Sequence, residues 1–432
     1  MKDWVSEIRD PVHGYIYITD AERKIIDALP LQRLRRIKQL AGAHLTYAGG
    51  EHSRFVHSLG VMYLSGLFAN HLVQEGYIDI ELVEKLRIAG LLHDIGHGPF
   101  SHVYEELLEK YRDTTHEELT EWLVKKSEIK DILSSNGFSP KEMATLAIGS
   151  LKETKNSFVN QIIAGQFSAD ILDYLPRDSH FTGVEYGRVD VNRLINSVEL
   201  VDGILAMDLT AFYALESLLI ARYEMFKAVY FHRTVRAAGI LLIKAMEYAR
   251  DEIHLTDFRS PEEYLELDDS SVMQGLLSLK GERDKRLRIS YDFAKRFNNR
   301  NLLKCTYEVM FHHKDQFFTN IISRDEVREK IVDDISTESE VDPDYIMIDV
   351  PTVPSVPYNP LQTFNSDIPV FQRNSDGSKT LRRLSEVSQL VDALAGYVNI
   401  VRVYTIPQHR AKVQNASEKI FGKKPSSIRV SF

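Results

Sequence analysis

The stretch Leu91–His102, LLHDIGHGPFSH, brings a histidine and an aspartate together at the end of an apolar segment. Residues 80–93 carry apolar side chains at helical spacing, which predicts a helix. Pro99 cannot continue a helix and glycines precede it, so we predict that the helix ends just after His93 and Asp94. An imidazole and a carboxylate at one helix end offer a nitrogen and an oxygen ligand to a divalent cation.

Two other segments carry ligands of the same kind. His57 lies near the start of the preceding predicted helix, in HSRFVHSLGV, and Asp170 lies in FSADILDYLPRD. Two nitrogen and two oxygen ligands suit octahedral Mn²⁺, Fe²⁺, Ni²⁺ or Mg²⁺ and leave two positions for water and substrate. Zn²⁺ is disfavoured because it usually prefers four-coordinate sites. We therefore predict a divalent metal centre formed by His57, His93, Asp94 and Asp170.

The periodicity of the rest of the chain predicts a mainly α fold with a smaller α+β C-terminal lobe. Helices are predicted over residues 29–40, 55–75, 80–93, 116–126, 140–150, 157–175 and 209–250, the last broken once. Pro176 is expected to end the sixth of these helices. Residues 344–349 and 398–405 are rich in β-branched side chains and predict strands. We place a helical catalytic core at residues 1–275 and the lobe at residues 276–432.

Composition excludes several classes of protein. Acids outnumber bases by 62 to 53, giving a net charge of −9, which disfavours electrostatic capture of nucleic acid. The basic run at residues 280–304 leaves nucleic-acid binding open as a minor alternative to a solvated helix face. The single cysteine, Cys305, excludes a disulfide framework and a multi-cysteine zinc site. No signal peptide or apolar run of the roughly 20 residues that span a bilayer is visible, so a cytoplasmic location is expected.

Six strings, taken in order, carry a resemblance to a known family. They are DPVHGYI (10–16), LQRLRRIKQL (31–40), HSRFVHSLGV (52–61), HDIGHGPFSH (93–102), THEE (115–118) and DYLPRDSHFTG (173–183). The chain resembles the HD-domain metal-dependent phosphohydrolases, and among them the deoxynucleoside triphosphate triphosphohydrolases. The likeness is strong over residues 5–185 and continues more weakly through RNLLK (300–304) and VRVYT (401–405). No SAM domain is expected before it. The family's metal ligands fall on the four residues that ligand type already selects.

The resemblance also implies roles for other side chains. Histidines at the positions of His97, His102 and His116 line the phosphates and supply acid–base function, and either His102 or His116 is expected to be the general acid, with Glu117 orienting His116. The resemblance further implies that Arg54 contacts a phosphate and that Gln39 and Leu40 contact the sugar and the base. It also implies that Tyr174 and Asp178 pack against the sugar and bind its 3′ hydroxyl. A ring against the sugar would favour deoxyribose over ribose.

Two positions depart from the family pattern. Ile171 follows the Asp170 ligand where a nucleotide triphosphatase of the family carries a phosphate-contacting lysine, and Arg9 stands where asparagine is expected. Lys227, Arg233 and Arg236 are candidates for a cation that compensates for the missing lysine. Family members are activated by nucleotides bound between subunits of a dimer or tetramer. The positions that match this activating nucleotide site are Asp27, Gln32, Arg35, Arg300 and Lys304. Ordinary surface charges explain these residues equally well.

These expectations combine into one leading function and three alternatives. The leading prediction is metal-dependent hydrolysis of a deoxynucleoside triphosphate to deoxynucleoside and inorganic triphosphate, with nucleotide activation and a homodimer or homotetramer as further expectations. An HD phosphatase or phosphodiesterase acting on another nucleotide or phosphoester is the runner-up, and Ile171 is its main support. A nucleotide-sensing scaffold without activity and nucleic-acid binding through residues 280–304 are the remaining alternatives. No membrane association is expected.

Overall fold

Helices dominate the protein, as the sequence predicts. The computed structural model describes residues 4–152, 156–313, 324–354, 367–394 and 397–422. The α-helices of these ranges are α1 Asp20–Asp27, α2 Leu29–Arg33, α3 Arg54–Gln74, α4 Glu81–Leu92, α5 His102–Arg112, α6 His116–Lys126, α7 Ile129–Ser135, α8 Pro140–Ala147, α9 Asn160–Ala164, α10 Ala169–Thr182, α11 Val191–Ile195, α12 Phe212–Met225, α13 Arg233–Ala249, α14 Pro261–Leu265, α15 Asp269–Ser278, α16 Lys285–Asn298, α17 Asp325–Ser339, α18 Leu384–Val387, α19 Gln389–Leu394 and α20 Arg410–Phe421.

Three small sheets flank the helices. Their strands are β1 Ser6–Asp10, β2 Gly14–Ile18, β3 Val198–Val201, β4 Ile204–Asp208, β5 Lys304–His313, β6 Ile346–Asp349, β7 Thr352–Pro354, β8 Pro369–Arg373, β9 Lys379–Arg383 and β10 Tyr397–Thr405. The hairpin β1–β2 stands alone, β10 pairs with β5, β6 and β7, and the third sheet has the order β3-β4-β8-β9. The two central strands of the third sheet, β4 and β8, are parallel, although they are far apart in the sequence.

The centre of the fold is a three-helix contact. Helix α3 packs against α4 and α10, and its buried side chains cover most of its circumference, because it lies between neighbours rather than at the surface. One apolar cluster extends from Ile16 in β2 to Ile406 beyond β10 and includes α13 and α16, which pack on each other. The division at residue 275 therefore remains a prediction, since this cluster crosses it.

Two predicted helices end or begin elsewhere. The helix predicted over residues 29–40 stops at Arg33 and continues as a 3₁₀ turn to Arg36, because the backbone of residues 37–39 pairs with the segment before α3. Arg54 N donates to Ile37 O at 2.9 Å, and Gln39 N donates to His52 O at 3.0 Å. This pairing places Gln39 and Leu40 in a turn rather than on a helix.

The prediction that Pro176 ends a helix is wrong. The chain breaks earlier, at Gly165, and Ser168 caps a new helix by accepting a hydrogen bond from Ile171 N. Pro176 then lies inside α10, which runs on to Thr182 and ends at Gly183 with φ of 77°. The later start keeps Asp170 in the first turn of α10, where the positive end of the helix dipole stabilises a carboxylate.

Other predicted elements agree with the structure. Helix α6 has the bounds predicted from sequence, 116–126, and the long segment 209–250 is broken once, between a π-helical turn at Phe226–Tyr230 and the start of α13. The two predicted strands correspond to β6 and β10. Within the described ranges, no helix has the length and apolarity needed to cross a bilayer.

Candidate metal-dependent active site

The four predicted ligands converge from three helices. His57 lies in the first turn of α3, His93 and Asp94 follow the last residue of α4, and Asp170 lies in the first turn of α10. The ligand atoms of His57, His93 and Asp94 all lie within 4.8 Å of one another in a buried cluster. The side chain of Asp170 is 36% exposed and forms the open side of the cluster.

The separations between ligand atoms fit one octahedral cation. His57 Nε2 lies 3.1 Å from Asp170 Oδ1 and 3.6 Å from Asp94 Oδ2. His93 Nε2 lies 3.2 Å from Asp94 Oδ1 and 4.0 Å from Asp170 Oδ1. Metal–ligand bonds of about 2.1 Å at right angles put neighbouring ligands roughly 3.0 Å apart and opposite ligands about 4.2 Å apart. The observed separations span this range for the pairs that His57 and His93 form with the two carboxylates, and His57, His93 and Asp94 form the compact group suited to an ion, with Asp170 beside it.

Both histidines use Nδ1 for a hydrogen bond away from the cluster and turn Nε2 toward its carboxylates. His57 Nδ1 donates to Asp173 Oδ2 at 2.7 Å, and His93 Nδ1 donates to Gly90 O at 2.8 Å. His93 Nε2 is buried and makes no hydrogen bond among the described residues, as expected of a ligand atom without its partner. Burial lowers the pKa of His57, but hydrogen bonds to Asp170 and Asp173 raise it to about 10. A proton and a metal ion therefore compete for His57 Nε2.

Gly96, in the HDIGHG stretch, is required by close packing against α6. A Cβ at Gly96 would lie 2.1 Å from His116 O and 2.3 Å from Thr120 N, so only glycine lets this turn approach α6. Thr120 Oγ1 donates to His93 O and accepts from Gly96 N, both at 3.0 Å. The close approach brings His116 next to the metal ligands.

Arg54 lies directly behind the metal cluster. Its Nη1 donates to Asp94 Oδ2 at 2.5 Å and its Nε donates to Ser101 Oγ at 2.7 Å. Its Nη2 is buried and makes no hydrogen bond within the described part of the chain. Burial raises the pKa of Asp94, but Arg54, His93 and His97 hold it well below its usual value. Asp94 is thus an anionic ligand, and Arg54 retains one donor for a phosphate oxygen.

The turn at Phe100 and Ser101, which follows the metal-ligand segment, is strained and is held by an aspartate from a distant helix. Phe100 and Ser101 have φ of 57° and 56°, a region that non-glycine residues rarely adopt and that costs about 1–3 kcal/mol each. Asp269, at the start of α15, accepts hydrogen bonds from Phe100 N at 2.6 Å and Lys38 N at 3.0 Å. Ser101 Oγ donates to Lys38 O at 2.7 Å, which completes the tie. Sequence reasoning missed Asp269, because nothing local links it to the motif.

A second cluster adjoins the metal ligands. His97 Nε2 lies 3.4 Å from Asp94 Oδ1, and the His97 ring stacks on His116 with centroids 3.9 Å apart. Glu105 joins the exposed His102, whose Nδ1 lies 2.8 Å from Glu105 Oε2, to His116, whose Nδ1 pairs with the other carboxylate oxygen.

The acids in this cluster differ from the sequence expectation. The predicted partner of His116, Glu117, is half exposed and 3.4 Å away, so Glu105 makes the hydrogen bond instead. Burial lowers the pKa of His116, but Glu105 raises it above its ordinary value. Burial and the neighbouring Arg54 lower the pKa of His97 well below its usual range. Glu105 thus favours the protonated form of one imidazole of the stack, and burial with Arg54 favours the neutral form of the other, a pairing typical of acid–base sites. The signal for Glu105 was its i, i+3 spacing from His102.

The predicted sugar-binding residues lie along one face of α10. Asp170, Tyr174 and Asp178 recur every four residues, so they stack over about 12 Å of helix. Asp178 is buried and accepts hydrogen bonds from His52 Nε2 and from the Tyr230 hydroxyl, both at 2.7 Å. A carboxylate has about four acceptor positions, so Asp178 can accept a further hydroxyl. The sequence analysis did not find His52 or Tyr230.

Gln39 and Leu40 reach this neighbourhood from the turn before α3. Both are partly buried, and Gln39 Oε1 is buried without a hydrogen-bond partner among the described residues. Because Gln39 N donates to His52 O, this turn is fixed to the residue that holds Asp178. An unsatisfied amide oxygen beside a hydroxyl-binding carboxylate favours a polar ligand such as a nucleoside.

Of the three candidates for a cation that replaces the missing lysine, the structure commits one to a carboxylate partner. Ile171 packs against the apolar core, Arg236 is committed to Asp349 at 2.6 Å, and Lys227 and Arg233 are exposed. Arg222 on α12 lies beside Tyr174: burial raises the pKa of Tyr174 to about 12, and the Arg222 charge opposes that rise.

Arg222 is available for a ligand in a way that Arg236 is not. Its Nε is buried without a hydrogen-bond partner in the described ranges. The guanidinium beside Tyr174 therefore keeps an unsatisfied donor, as a group that binds an anionic ligand would. Sequence reasoning missed Arg222 because its contact with α10 is long-range.

The residues predicted for a regulatory nucleotide do not form one cluster through their described contacts. Arg35 lies over the Phe55 ring and its Nε donates to Gln32 Oε1 at 2.9 Å, while Asp27 is exposed at the end of α1. Arg300 Nε donates to Leu45 O at 2.8 Å, and Lys304 is exposed at the start of β5. These residues form two separate surface groups, so their regulatory role stays a prediction.

Fold and site together define a helical protein whose buried cluster of histidine and aspartate side chains suits a divalent metal ion. Comparison with known proteins agrees: the profile of the HD domain matches residues 54–177, and that of the HD associated region matches residues 189–430. The chain belongs to the HD-domain phosphohydrolase family. The family match covers both halves of the chain, and all four predicted metal ligands fall within the HD domain.

Individual relatives extend the comparison. The uncharacterized protein YwfO of Bacillus subtilis is 30% identical over 413 residues, covering 90% of this chain and 89% of that protein. A deoxynucleoside triphosphate triphosphohydrolase SAMHD1 homolog from Dictyostelium discoideum is 28% identical over 318 residues, covering 70% of this chain and 60% of that protein. The crystal structure of a phosphohydrolase from Bacteroides thetaiotaomicron superposes with a TM-score of 0.71 at 27% identity, covering 93% of this chain and 99% of that one.

Proposed function

We propose that the protein hydrolyses deoxynucleoside triphosphates to deoxynucleoside and inorganic triphosphate in a metal-dependent reaction. The observation that carries the proposal is the line of Asp170, Tyr174 and Asp178 along α10. It starts at the cation cluster and ends at a buried carboxylate that accepts hydroxyl hydrogen bonds, which suits a phosphate and a sugar bound side by side. The similarity to the Dictyostelium SAMHD1 homolog supports the same substrate class.

Four residues would hold the cation and others would act on the substrate. When bound, the cation supplies Lewis-acid polarisation of a phosphoryl oxygen and a more acidic water; Mn²⁺, Mg²⁺, Fe²⁺ or Ni²⁺ fits the donor set better than Zn²⁺. Arg54 and Arg222 neutralise phosphate charge, and Asp178 accepts the 3′ hydroxyl. Water attacks the α-phosphorus and the bond to the 5′ oxygen breaks. His116, whose protonated form the hydrogen bond with Glu105 favours, donates the proton that the leaving 5′ oxygen takes.

Product analysis tests this proposal. Purified protein is incubated with Mn²⁺ or Mg²⁺ and each of the four dNTPs, with and without GTP or dGTP, beside matched ribonucleotides. The expected products are the deoxynucleoside and inorganic triphosphate, with slower turnover of ribonucleotides because the Tyr174 ring crowds the 2′ position. Asp94→Ala serves as the inactive control. Orthophosphate or pyrophosphate as the product, or no dNTP cleavage while another phosphoester is cleaved, would contradict the substrate class.

A second candidate is a phosphatase or phosphodiesterase acting on another nucleotide or phosphoester. The apolar Ile171 favours it, because the position next to the Asp170 ligand offers no charge to a polyphosphate chain. Release of orthophosphate from a monophosphate, or opening of a cyclic nucleotide, would select this alternative.

The remaining expectations accompany the leading proposal. Activation by GTP or dGTP would support a regulatory site at the five residues predicted for it, and light scattering would show whether the protein is a dimer or tetramer. The cytoplasmic location stays a prediction from composition.

A further inference from the structure

The turn of the N-terminal hairpin reaches the metal centre through a carboxylate. His13 lies between β1 and β2, and its side chain is 8% exposed. Its Nε2 lies 2.6 Å from Asp173 Oδ1, and the other oxygen of that carboxylate accepts the hydrogen bond from His57 Nδ1. The sequence DPVHGYI around His13 is one of the strings that carry the family resemblance, yet no residue of it has a role in the chemistry above.

Asp173 is a charged acceptor that holds several donors at once. Its oxygens lie 2.6 Å from His13 Nε2 and 2.7 Å from His57 Nδ1, so each histidine can donate to one oxygen of the same carboxylate. Arg177 Nε and Nη2 donate to its two oxygens at 2.8 and 2.9 Å. The carboxylate also fills the space beside Gly60, where a Cβ would lie 1.8 Å from Asp173 Oδ1.

The turn that presents His13 is itself fixed. Asp10 Oδ1 accepts hydrogen bonds from Val12 N at 2.9 Å and His13 N at 2.8 Å. The same carboxylate binds Arg177 Nη1 at 2.8 Å, so one guanidinium joins the hairpin turn to the Asp173 carboxylate. The hairpin turn and Asp173 are therefore held by the same guanidinium.

We infer that His13 is a positioning residue for the metal ligand His57. Its hydrogen bond fixes the plane of the Asp173 carboxylate, and that carboxylate sets the tautomer and orientation of the His57 ring that presents Nε2 to the cation. Partners that hydrogen-bond a metal ligand directly, as Asp173 does with His57, typically change metal affinity by about 10–100-fold. His13 acts one hydrogen bond further out, so its effect is expected at the lower end of this range. By reciprocity, a bound cation must stabilise the docked hairpin turn to the same extent. The inference rests on the proposed metal-dependent function.

Metal binding, measured without substrate, tests the inference. Titration calorimetry with Mn²⁺ compares the wild type with His13→Leu, His13→Gln and His71→Leu. His71 lies on the same helix as His57 and pairs with Val198 O at 2.7 Å, so its loss is a matched control for removing a buried histidine hydrogen bond. We expect Mn²⁺ affinity to fall at least 10-fold in His13→Leu, to fall less than about 3-fold in His13→Gln, whose amide keeps a donor, and to be unchanged in His71→Leu.

Hydrogen exchange of the wild type gives an independent readout. Adding Mg²⁺ should slow exchange at the amides of residues 12–14 while leaving the tip of the hairpin β8–β9 unchanged. Equal Mn²⁺ affinity in His13→Leu and the wild type, equal weakening in His13→Gln and His13→Leu, or no protection of residues 12–14 would each overturn the inference. A wild type that binds no Mn²⁺ would instead contradict the proposed function itself.

Discussion

Gly60 offers the sharpest test of how tightly the metal centre is packed. Replacing it with alanine would put a Cβ 1.8 Å from Asp173 Oδ1, 2.5 Å from Arg177 Nη2 and 2.6 Å from Asp173 Cγ. Relief of these overlaps requires the carboxylate to move by more than 1 Å. Its hydrogen bonds to His57 and Arg177 are 2.7–2.9 Å long and would then pass the limit of useful geometry.

The net effect is a balance of two terms. Disrupting a buried, hydrogen-bonded ion pair costs about 3–5 kcal/mol, whereas replacing glycine by alanine inside a helix stabilises it by about 1 kcal/mol. We expect the free energy of unfolding to fall by about 2–4 kcal/mol and metal affinity to fall by about 10–100-fold. Gly239→Ala is the matched control: it lies inside α13, and its new Cβ would meet only Val103 Cγ2, at 3.7 Å. This variant should gain about 1 kcal/mol.

Thermal melting with and without Mn²⁺, together with Mn²⁺ titration, checks both variants. Gly60→Ala should melt below the wild type and gain less from added metal, and Gly239→Ala should melt above it with unchanged affinity. A Gly60→Ala protein with wild-type stability and metal affinity would refute the packing argument. A loss of stability in both variants would refute the helix-propensity term.

Three further predictions concern the chemistry. Asp94→Asn removes the anionic ligand, so metal content measured by elemental analysis and turnover should both fall, the latter by roughly 10³-fold, since metal stabilisation of charge is worth several kcal/mol. Glu105→Gln should move the alkaline limb of the pH profile of kcat to lower pH. Glu105 raises the pKa of His116, and activity that needs the protonated imidazole is lost as the pH rises through that pKa, so the loss should come at a lower pH without Glu105. An alkaline limb that does not move would exclude His116 as the general acid. Arg222→Gln should raise KM for a triphosphate by roughly 10–100-fold, because a charge-assisted hydrogen bond is worth about 1.5–3 kcal/mol, and should leave Mn²⁺ affinity unchanged; a KM that stays constant would exclude the phosphate contact.

The convergence of the four predicted ligands could be anticipated in part because ligand chemistry is local. His93 and Asp94 adjoin a predictable helix end, and His57 lies in the first turn of a helix that follows from periodicity. Asp170 was selected by residue type and by the family resemblance, whereas its place in the first turn of α10 did not follow from periodicity.

The supporting residues could not be predicted in the same way. Asp269 and Arg222 act through contacts with segments far away in sequence, and no local pattern shows that Asp269 accepts from Phe100 N or that Arg222 lies beside Tyr174. The helix break at Gly165 was missed because the periodic pattern continues across it, and Pro176 misled because a proline is tolerated within α10. Long-range packing overrode local propensity at these points.

The tie made by Asp269 has a consequence for how the protein matures during synthesis. Every proposed cation ligand has left the ribosome by residue 170, whereas the carboxylate that holds the Phe100–Ser101 turn follows about a hundred residues later, and strand β8, which pairs with β4, later still. A nascent chain thus passes through a stage in which its chelating side chains are exposed but their scaffold is unfinished. We expect productive ion uptake to follow chain completion, and a polypeptide ending at residue 275 to lack two of the four strands of its third sheet, β8 and β9.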